Sequence, residues 1–204
     1  TINIASGLTT TVSSILGGSV ALIKDGAGTF VSGGASGNTI TGSFTVSNGV
    51  FEVAKTANVS AIGNASAVTI AAPGTLRFNG GALYTQEIIG SLSGAGTVTN
   101  VGASAVSLTV SGAASTTFSG TLTNGANALN LVKNTGTGTL TLSGANSYTG
   151  VTTISAGAIN IQNSSALGTT AAGTTVASGA ALELQGNIAV GAESLQLSGT
   201  GVGG

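Results

Sequence analysis

Nine side chains in this 204-residue chain are charged at neutral pH: Asp25, Glu52, Glu87, Glu183 and Glu193 against Lys24, Lys55, Arg77 and Lys133. Hydrolysis of a glycosidic bond needs two carboxylates roughly 5–10 Å apart across a sugar. The five acids are scattered, and no two of them converge on one face when similar parts of the chain are aligned. Only Glu183 and Arg77 fall at like positions. The acids are therefore expected as solvated surface charges, and Lys24-Asp25 as an exposed turn. Polysaccharide lyase chemistry would need a basic or metal-assisted cluster, and the four cations are too dispersed to make one.

Other chemistry lacks its residues. There is no His and no Cys, which removes Ser-His triads and the usual zinc, haem and iron–sulfur ligand sets. Repeat-bound calcium needs Gly-Gly-x-Gly-x-Asp. The nearest approach, Gly33-Gly34-Ala35-Ser36-Gly37-Asn38, has no carboxylate. Glycine runs that resemble phosphate loops precede no helical pattern. The sequence assigns no catalytic, cofactor-binding or metal-ligating residue, and a non-enzymatic protein is expected.

The remaining polar residues read as structure. Asn38, Asn48, Asn124, Asn134, Asn146 and Asn163 stand at turns, where Asn tolerates a left-handed backbone and stacked amides can form ladders. Tyr148, opposite Thr39 in a weaker copy of the same pattern, reads as a packing plug. Thr97/Thr99, Thr121/Thr123 and Thr137/Thr139/Thr141 could form a flat threonine face of the kind that binds ice. Outward strand residues of high β propensity explain them more simply, since their spacing is uneven from turn to turn.

Composition narrows the class. Charged residues are 4% of the chain and hydrophobic residues 41%, with 35 Gly, one Pro and a net charge of −1. Disordered chains combine the opposite properties. Val, Ile, Leu, Ala and Thr favour strands, while Gly and Asn favour turns. No stretch approaches the roughly 18 apolar residues of a membrane helix, and five Phe, two Tyr and no Trp are too few for the girdles of a membrane barrel. Four dispersed cations do not suit nucleic acid. The chain opens on Thr1 with no basic-then-apolar leader, so it is expected to be a mature or excised segment. Gly199 to Gly204 reads as a turn leading into another strand, as in a piece of something longer.

The elements follow from alternation. Thr139-Leu140-Thr141-Leu142, Thr152-Thr153-Ile154-Ser155 and Ala158-Ile159-Asn160-Ile161 each alternate polar or small with aliphatic residues, bounded by Gly, Asn and Ser. This predicts strand, turn, strand, turn, strand. A weaker version runs through Leu22, Lys24, Gly26, Gly28-Thr29-Phe30-Val31, Asn38, Thr41-Gly42, Phe44-Thr45-Val46 and Phe51. Its lysine lies 109 positions before Lys133 (133 − 24). GTLRFNG at 74–80 and GAALELQG at 179–186 are similarly offset. The chain is expected to be one solenoid segment, 1–204, in two superimposable halves, with a weak repeat copy near 22–53 and a strong copy at 131–168.

The strong copy, with Lys133, Gly136, Gly138-Thr139-Leu140-Thr141-Leu142-Ser143-Gly144, Asn146, Tyr148-Thr149-Gly150, Thr152-Thr153-Ile154, Ala156-Gly157 and Ile159, resembles the autotransporter-associated β-strand repeat of bacterial surface proteins. Leu92 to Asn100 (LSGAGTVTN) resembles the short coil that often precedes it. The resemblance implies a right-handed parallel β-helix displayed outside the cell, and no activity. The fold expected is all-β, a right-handed parallel β-helix (β-solenoid) of roughly nine coils and ~40–45 Å, at about 20–25 residues per coil and ~4.8 Å between coils.

The function expected is a cell-surface structural or adhesive solenoid, a stalk or the subunit of an extracellular fibre. Its partners would be copies of itself, adjacent repeats of a longer chain, or host and bacterial surfaces. Nucleic acid binding and membrane insertion are not expected. A polysaccharide-processing β-helix enzyme, or an ice-binding solenoid, is the alternative.

Overall fold

The computed structural model describes residues 1–199; the turn expected over Gly199 to Gly204 lies, beyond Gly199, outside them. The hydroxyl–aliphatic runs form short strands, and no helix occurs among the described residues. Coil one holds β1 (Ile2–Asn3), β2 (Thr9–Val12) and β3 (Gly17–Gly18), and coil two β4 (Leu22–Asp25), β5 (Thr29–Gly34) and β6 (Thr39–Ile40). In coil three, β7 (Phe44–Val46) and β8 (Val50–Lys55) are followed by an irregular stretch, 56–66. Coil four holds β9 (Ala67–Ile70), β10 (Thr75–Phe78) and β11 (Gln86–Ile89), and coil five β12 (Ser91–Gly94), β13 (Thr97–Asn100) and β14 (Val106–Val110). Coil six holds β15 (Thr116–Phe118), β16 (Thr121–Asn124) and β17 (Leu129–Lys133). The last three coils have two strands each: β18 (Thr139–Leu142) and β19 (Thr152–Ile154), β20 (Gly157–Ile161) and β21 (Thr174–Val176), β22 (Ala180–Leu184) and β23 (Leu195–Leu197).

Strands stack in parallel on three sides. The first side is a nine-stranded sheet from β1 to β22, one strand per coil, so the solenoid has the nine coils expected. The second side is six-stranded and ends at β16. The third begins with the β3–β6 pair and resumes as six strands from β11 to β23. Residues 56–66 fill the gap between those two sheets. Coil length on the first side runs from 19 residues (Leu142 to Ile161) to 24 (Phe44 to Val68).

Alternate residues point inward and stack on their equivalents. On the first side Leu22, Phe44 and Val68 are in register, followed by Leu92. Phe30 stacks on Phe51 at 5.5 Å between centroids, and Phe44 meets Phe51 edge-on at 4.6 Å. Each fully buried aliphatic side chain contributes roughly 1.5–3 kcal/mol. Gly74, Gly96, Gly120 and Gly144 form a column at one corner, where a Cβ on Gly120 would run into the carbonyl oxygen of Gly96 and one on Gly144 into that of Gly120. Glycine is needed there because the backbones of successive coils touch.

The two repeat copies do not superimpose by translation along the rod. Lys24 lies on a first-side strand, β4, and Lys133 on a third-side strand, β17. The weak copy occupies first, second, third, first and second sides; the strong one occupies third, first, third and first. GTLRFNG is likewise on the second side and GAALELQG on the first. The motif specifies a strand–glycine turn–strand corner, and any side can host that corner.

Candidate functional site

Three lysines stand on the inward parity at or one residue before the end of a strand: Lys24 after Leu22, Lys55 after Phe51 and Val53, Lys133 after Leu129 and Leu131. All three are buried. Their ammonium groups donate to main-chain carbonyls at the corners. Lys24 Nζ reaches the oxygens of Asp25, Gly26 and Asn48 at 2.9, 2.8 and 3.0 Å. Lys55 Nζ reaches those of Gly33 and Ser36 at 2.7 and 2.9 Å, and Asn38 Oδ1 at 3.4 Å. Lys133 Nζ reaches those of Gly112 and Thr135. Burial lowers the pKa of each, opposed at Lys24 by Asp25 and at Lys55 by Glu87. The expectation of an exposed Lys24-Asp25 turn is therefore corrected: Asp25 is half-buried and Lys24 is internal. Carbonyls that turn inward where a strand ends need donors, and a long cationic side chain supplies several at once.

Glu87 overturns the expectation that every acid is a solvated surface charge. It is fully buried on the inner face of β11. Its carboxylate accepts from Ala61 N at 3.0 Å, Ile62 N at 2.8 Å, Ser60 Oγ at 3.1 Å and the Tyr84 hydroxyl. Burial pushes its pKa up to about 7 against those four donors, which favour the charged form. Burial raises Tyr84 well above its usual range, with Glu87 adding to it. The site sits at the gap in the third side. There the amides of Ala61 and Ile62 pair with the side chain of Glu87 in β11, in place of a main-chain ladder between coils three and four. Asn38 closes the other edge, donating to Ala61 O at 2.7 Å and accepting from Leu16 N at 3.0 Å. Lys55, Asn38, the Ala61 peptide, Glu87 and Tyr84 form one buried polar chain through coils two to four. The signal was present in the sequence, since Glu87 shares the parity of Ile89 in Gln86–Ile89.

Glu52 and Arg77, expected as separate charges, face each other across β8 and β10 in direct register. Arg77 Nη2 lies 2.6 Å from Glu52 Oε2, and Nε donates to the same oxygen at 2.7 Å. Asn79 Nδ2 adds a bond to Glu52 Oε1 at 3.1 Å. The likeness of Arg77 to Glu183 carries no contact. Glu183 instead accepts from Asn160 Nδ2 at 3.0 Å on the adjacent strand, and Glu193 accepts from Thr174 Oγ1 at 3.0 Å. Glu52 lies in coil three and Glu183 and Glu193 in coil nine, and the described residues hold no cluster of three or more metal-ligating side chains.

Of the turn asparagines, Asn38, Asn124 and Asn146 act as rungs between coils, and Asn163 bonds locally to Ser165 N. Asn146 Oδ1 accepts Leu122 N at 2.8 Å from the preceding coil, and Nδ2 donates to Ala166 O at 2.6 Å in the following one. Asn38 makes the same pair of bonds one repeat copy earlier. Asn124 accepts locally from Leu129 N and bonds Thr149 in the next coil, whereas Asn48 only accepts from its neighbour Gly49 N. Tyr148 is fully buried and its hydroxyl meets Thr152 Oγ1 at 2.6 Å. Thr97/Thr99 and Thr121/Thr123 stack in register on the second side, but Arg77, Glu52 and Val50 interrupt the array toward the N-terminus. Thr139 and Thr141 lie on the first side, apart from it.

Both ends of the coil stack expose core-type residues among the described ones. Leu8, Ile15 and Val20 are exposed at one end, and Leu184, Leu195 and Leu197 at the other. Two concavities of about 290 and 180 Å³ open at the second of these, lined by residues that include Val176, Leu182 and Leu197, and Leu167, Leu184 and Leu195.

The passenger-associated-transport-repeat family matches at residues 22–53 and 134–161; these segments hold the Asn38 and Asn146 rungs, with Lys24 inside the first and Lys133 immediately before the second. No curated protein and no solved structure matches the chain.

Proposed function

We propose that this chain is a non-enzymatic structural segment of a bacterial autotransporter passenger, a stiff cell-surface rod that serves as an adhesive stalk or fibre subunit. The premise is that it carries two passenger-type repeats within a β-solenoid. The supporting observation is where its ionisable groups are spent. Three of four cations and the one fully buried acid satisfy main-chain groups at corners and at the gap in the third side. The outer surface is left with threonine, serine and carboxamide ladders such as Thr69–Ser93 and Thr123–Ser147, hydrogen-bonded at 2.9 and 2.8 Å. Such a surface supports many weak contacts to hydroxyl-rich surfaces or to like rods, with little charge repulsion.

Beads coated with the chain should be retained on bacterial or host-cell layers under flow, more than beads coated with an unrelated protein of equal charge. The chain should leave a panel of polysaccharides uncut over long incubation. Retention no better than the control, or depolymerisation abolished by substituting an acid, would replace this reading with the enzyme alternative.

A further inference from the structure

Midway along the rod, at coils three and four, residues 56–66 interrupt the third side. Three anchors pin this segment. Asn58 Oδ1 accepts from Thr85 N at 3.3 Å, at the foot of β11. Glu87 holds the amides of Ala61 and Ile62 from inside. Asn64 O accepts from Ser111 Oγ at 3.4 Å, just past β14 and so beyond coil four altogether. Between these anchors lies a concavity of about 120 Å³, lined by Asn58, Val59, Ser60 and Asn64 of the segment and by Gln86 and Ile88 of β11. Gln86 and Ile88 have the outward parity of that strand, opposite to Glu87 and Ile89. The polar groups here are unspent. Asn58 Nδ2, Gln86 Oε1 and the side-chain amide of Asn64 have no protein partner among the described residues, and Gln86 Nε2 reaches only Thr109 Oγ1, at 3.5 Å. Elsewhere on the surface carboxamides pair with neighbours, as Gln162 does with Asn160 and Gln185. Val59 and Ile88 are half-buried and give the concavity an aliphatic wall.

We propose that this concavity binds one terminal, uncharged sugar residue of a surface glycan, with neighbouring hydroxyls on Asn58, Asn64 and Gln86 and a C–H face on Val59 and Ile88. This rests on the reading of the chain as an adhesive rod, and it names the ligand class that reading leaves open. Three carboxamides offer donors and acceptors together, which is what a hydroxyl needs, since it gives one hydrogen bond and takes others. No charged side chain lines the concavity. Glu87 lies behind Ser60, turned inward and spent on four donors. An ionic ligand would lose its hydration there without gaining a counter-charge. The volume falls below the roughly 300–1,000 Å³ of sites for larger ligands, so one ring enters and the rest of the glycan stays in water. The paired carboxylates that glycoside hydrolysis requires are not among the lining residues, so the sugar is held and not cut. One site of this size holds its ligand weakly, and many rods on one cell make the attachment strong.

Saturation-transfer NMR of the 204-residue chain tests this with the methyl glycosides of glucose, galactose, mannose and N-acetylglucosamine, and with that of N-acetylneuraminic acid as the anionic arm. At least one neutral glycoside should give a saturable signal, and the anionic one should give none. Asn64→Ala/Gln86→Ala should weaken the apparent affinity for the neutral sugar by about fivefold or more, the net worth of one or two hydrogen bonds. Both side chains are exposed, so the double variant should fold, and unaltered circular dichroism would verify it. Asn160→Ala/Gln162→Ala, which removes a carboxamide pair from the first side, should leave the signal unchanged. The proposal is overturned by silence from every neutral glycoside, by an anionic signal of equal strength, by full affinity in the Asn64/Gln86 variant, or by equal loss in the two double variants. Such a failure with normal bead retention leaves the rod reading intact. Loss of bead retention strikes that reading and leaves a measured sugar affinity standing.

Discussion

At the scale of the residue, the charged side chains separate by what they touch. Lys55→Met removes donors from two carbonyls and one amide oxygen in a buried corner, and should cost about 2–4 kcal/mol. Arg77→Ala breaks a partly exposed pair and should cost no more than about 1 kcal/mol. Urea denaturation of both variants checks the contrast. Thr116 gives a prediction of opposite sign. It stands between Leu92 and Leu140 in an aliphatic ladder, and its buried hydroxyl makes no hydrogen bond. Thr116→Val should raise stability by about 1 kcal/mol, visible as a higher thermal midpoint. Glu87 sets a pH dependence. Its carboxyl is raised in the folded chain from the usual 4.5 to about 7, so the folded state binds the proton more tightly than the unfolded state. The stability contributed by the protonated form is complete below about pH 4.5, is lost as pH rises through about 7, and is constant thereafter, over a total of at most about 3 kcal/mol. Glu87→Gln should remove that slope between pH 4.5 and 7. An identical slope in the variant would assign the dependence to other groups.

At the scale of the element, the short strands depend on the corners between them. A strand of three or four residues has few hydrogen bonds of its own, and the asparagine rungs extend the ladder past its end. The second side stops at β16, and Asn146 covers Leu122 N in place of a strand of coil seven. Asn146→Ala leaves that amide and the Ala166 carbonyl unpaired, and should cost about 2–4 kcal/mol. Hydrogen exchange should localise the effect to the amide of Leu122 and its neighbours, with β1 to β8 unaffected, because coils interact chiefly with the coils on either side. Protection lost uniformly along the rod would contradict this. The gap at residues 56–66 is the corresponding weak point of the third side, bridged by Glu87 and Asn38 instead of a strand.

At the scale of the whole molecule, the net charge of −1 divides unequally. Lys24, Lys55, Lys133 and Glu87 are internal and sum to +2; Asp25, Arg77, Glu183, Glu193 and Glu52, the last buried against Arg77, lie outside the core and sum to −3. The single outward cation, Arg77, is already paired with Glu52. Polyanions have nothing to bind, since their affinity comes from displacing counterions with Lys and Arg. The chain should therefore pass unretained through a sulfated resin at low ionic strength, where electrostatic attraction is least screened. Retention released by salt would show that a cation is accessible.

The sequence alone determined the coil. Period-two alternation broken by glycine dictates short strands, a chain with so few charges must pair its backbone internally, and roughly nine coils follow from 204 residues at about 20–25 per coil. It also carried the repeat, because corner residues such as Lys133, Gly138 and Asn146 are specified by local geometry. Tertiary structure decided which side each corner occupies, since coils seven to nine have no second-side strand and the strong copy there alternates between the third and first sides. It alone decided that Lys24, Lys55, Lys133 and Glu87 are internal. Parity placed them inward, but a charge is tolerated there only where unpaired carbonyls or amides of a neighbouring coil await it. Those partners lie about twenty or more residues away along the chain, and only the stacking of one coil on the next brings them into reach.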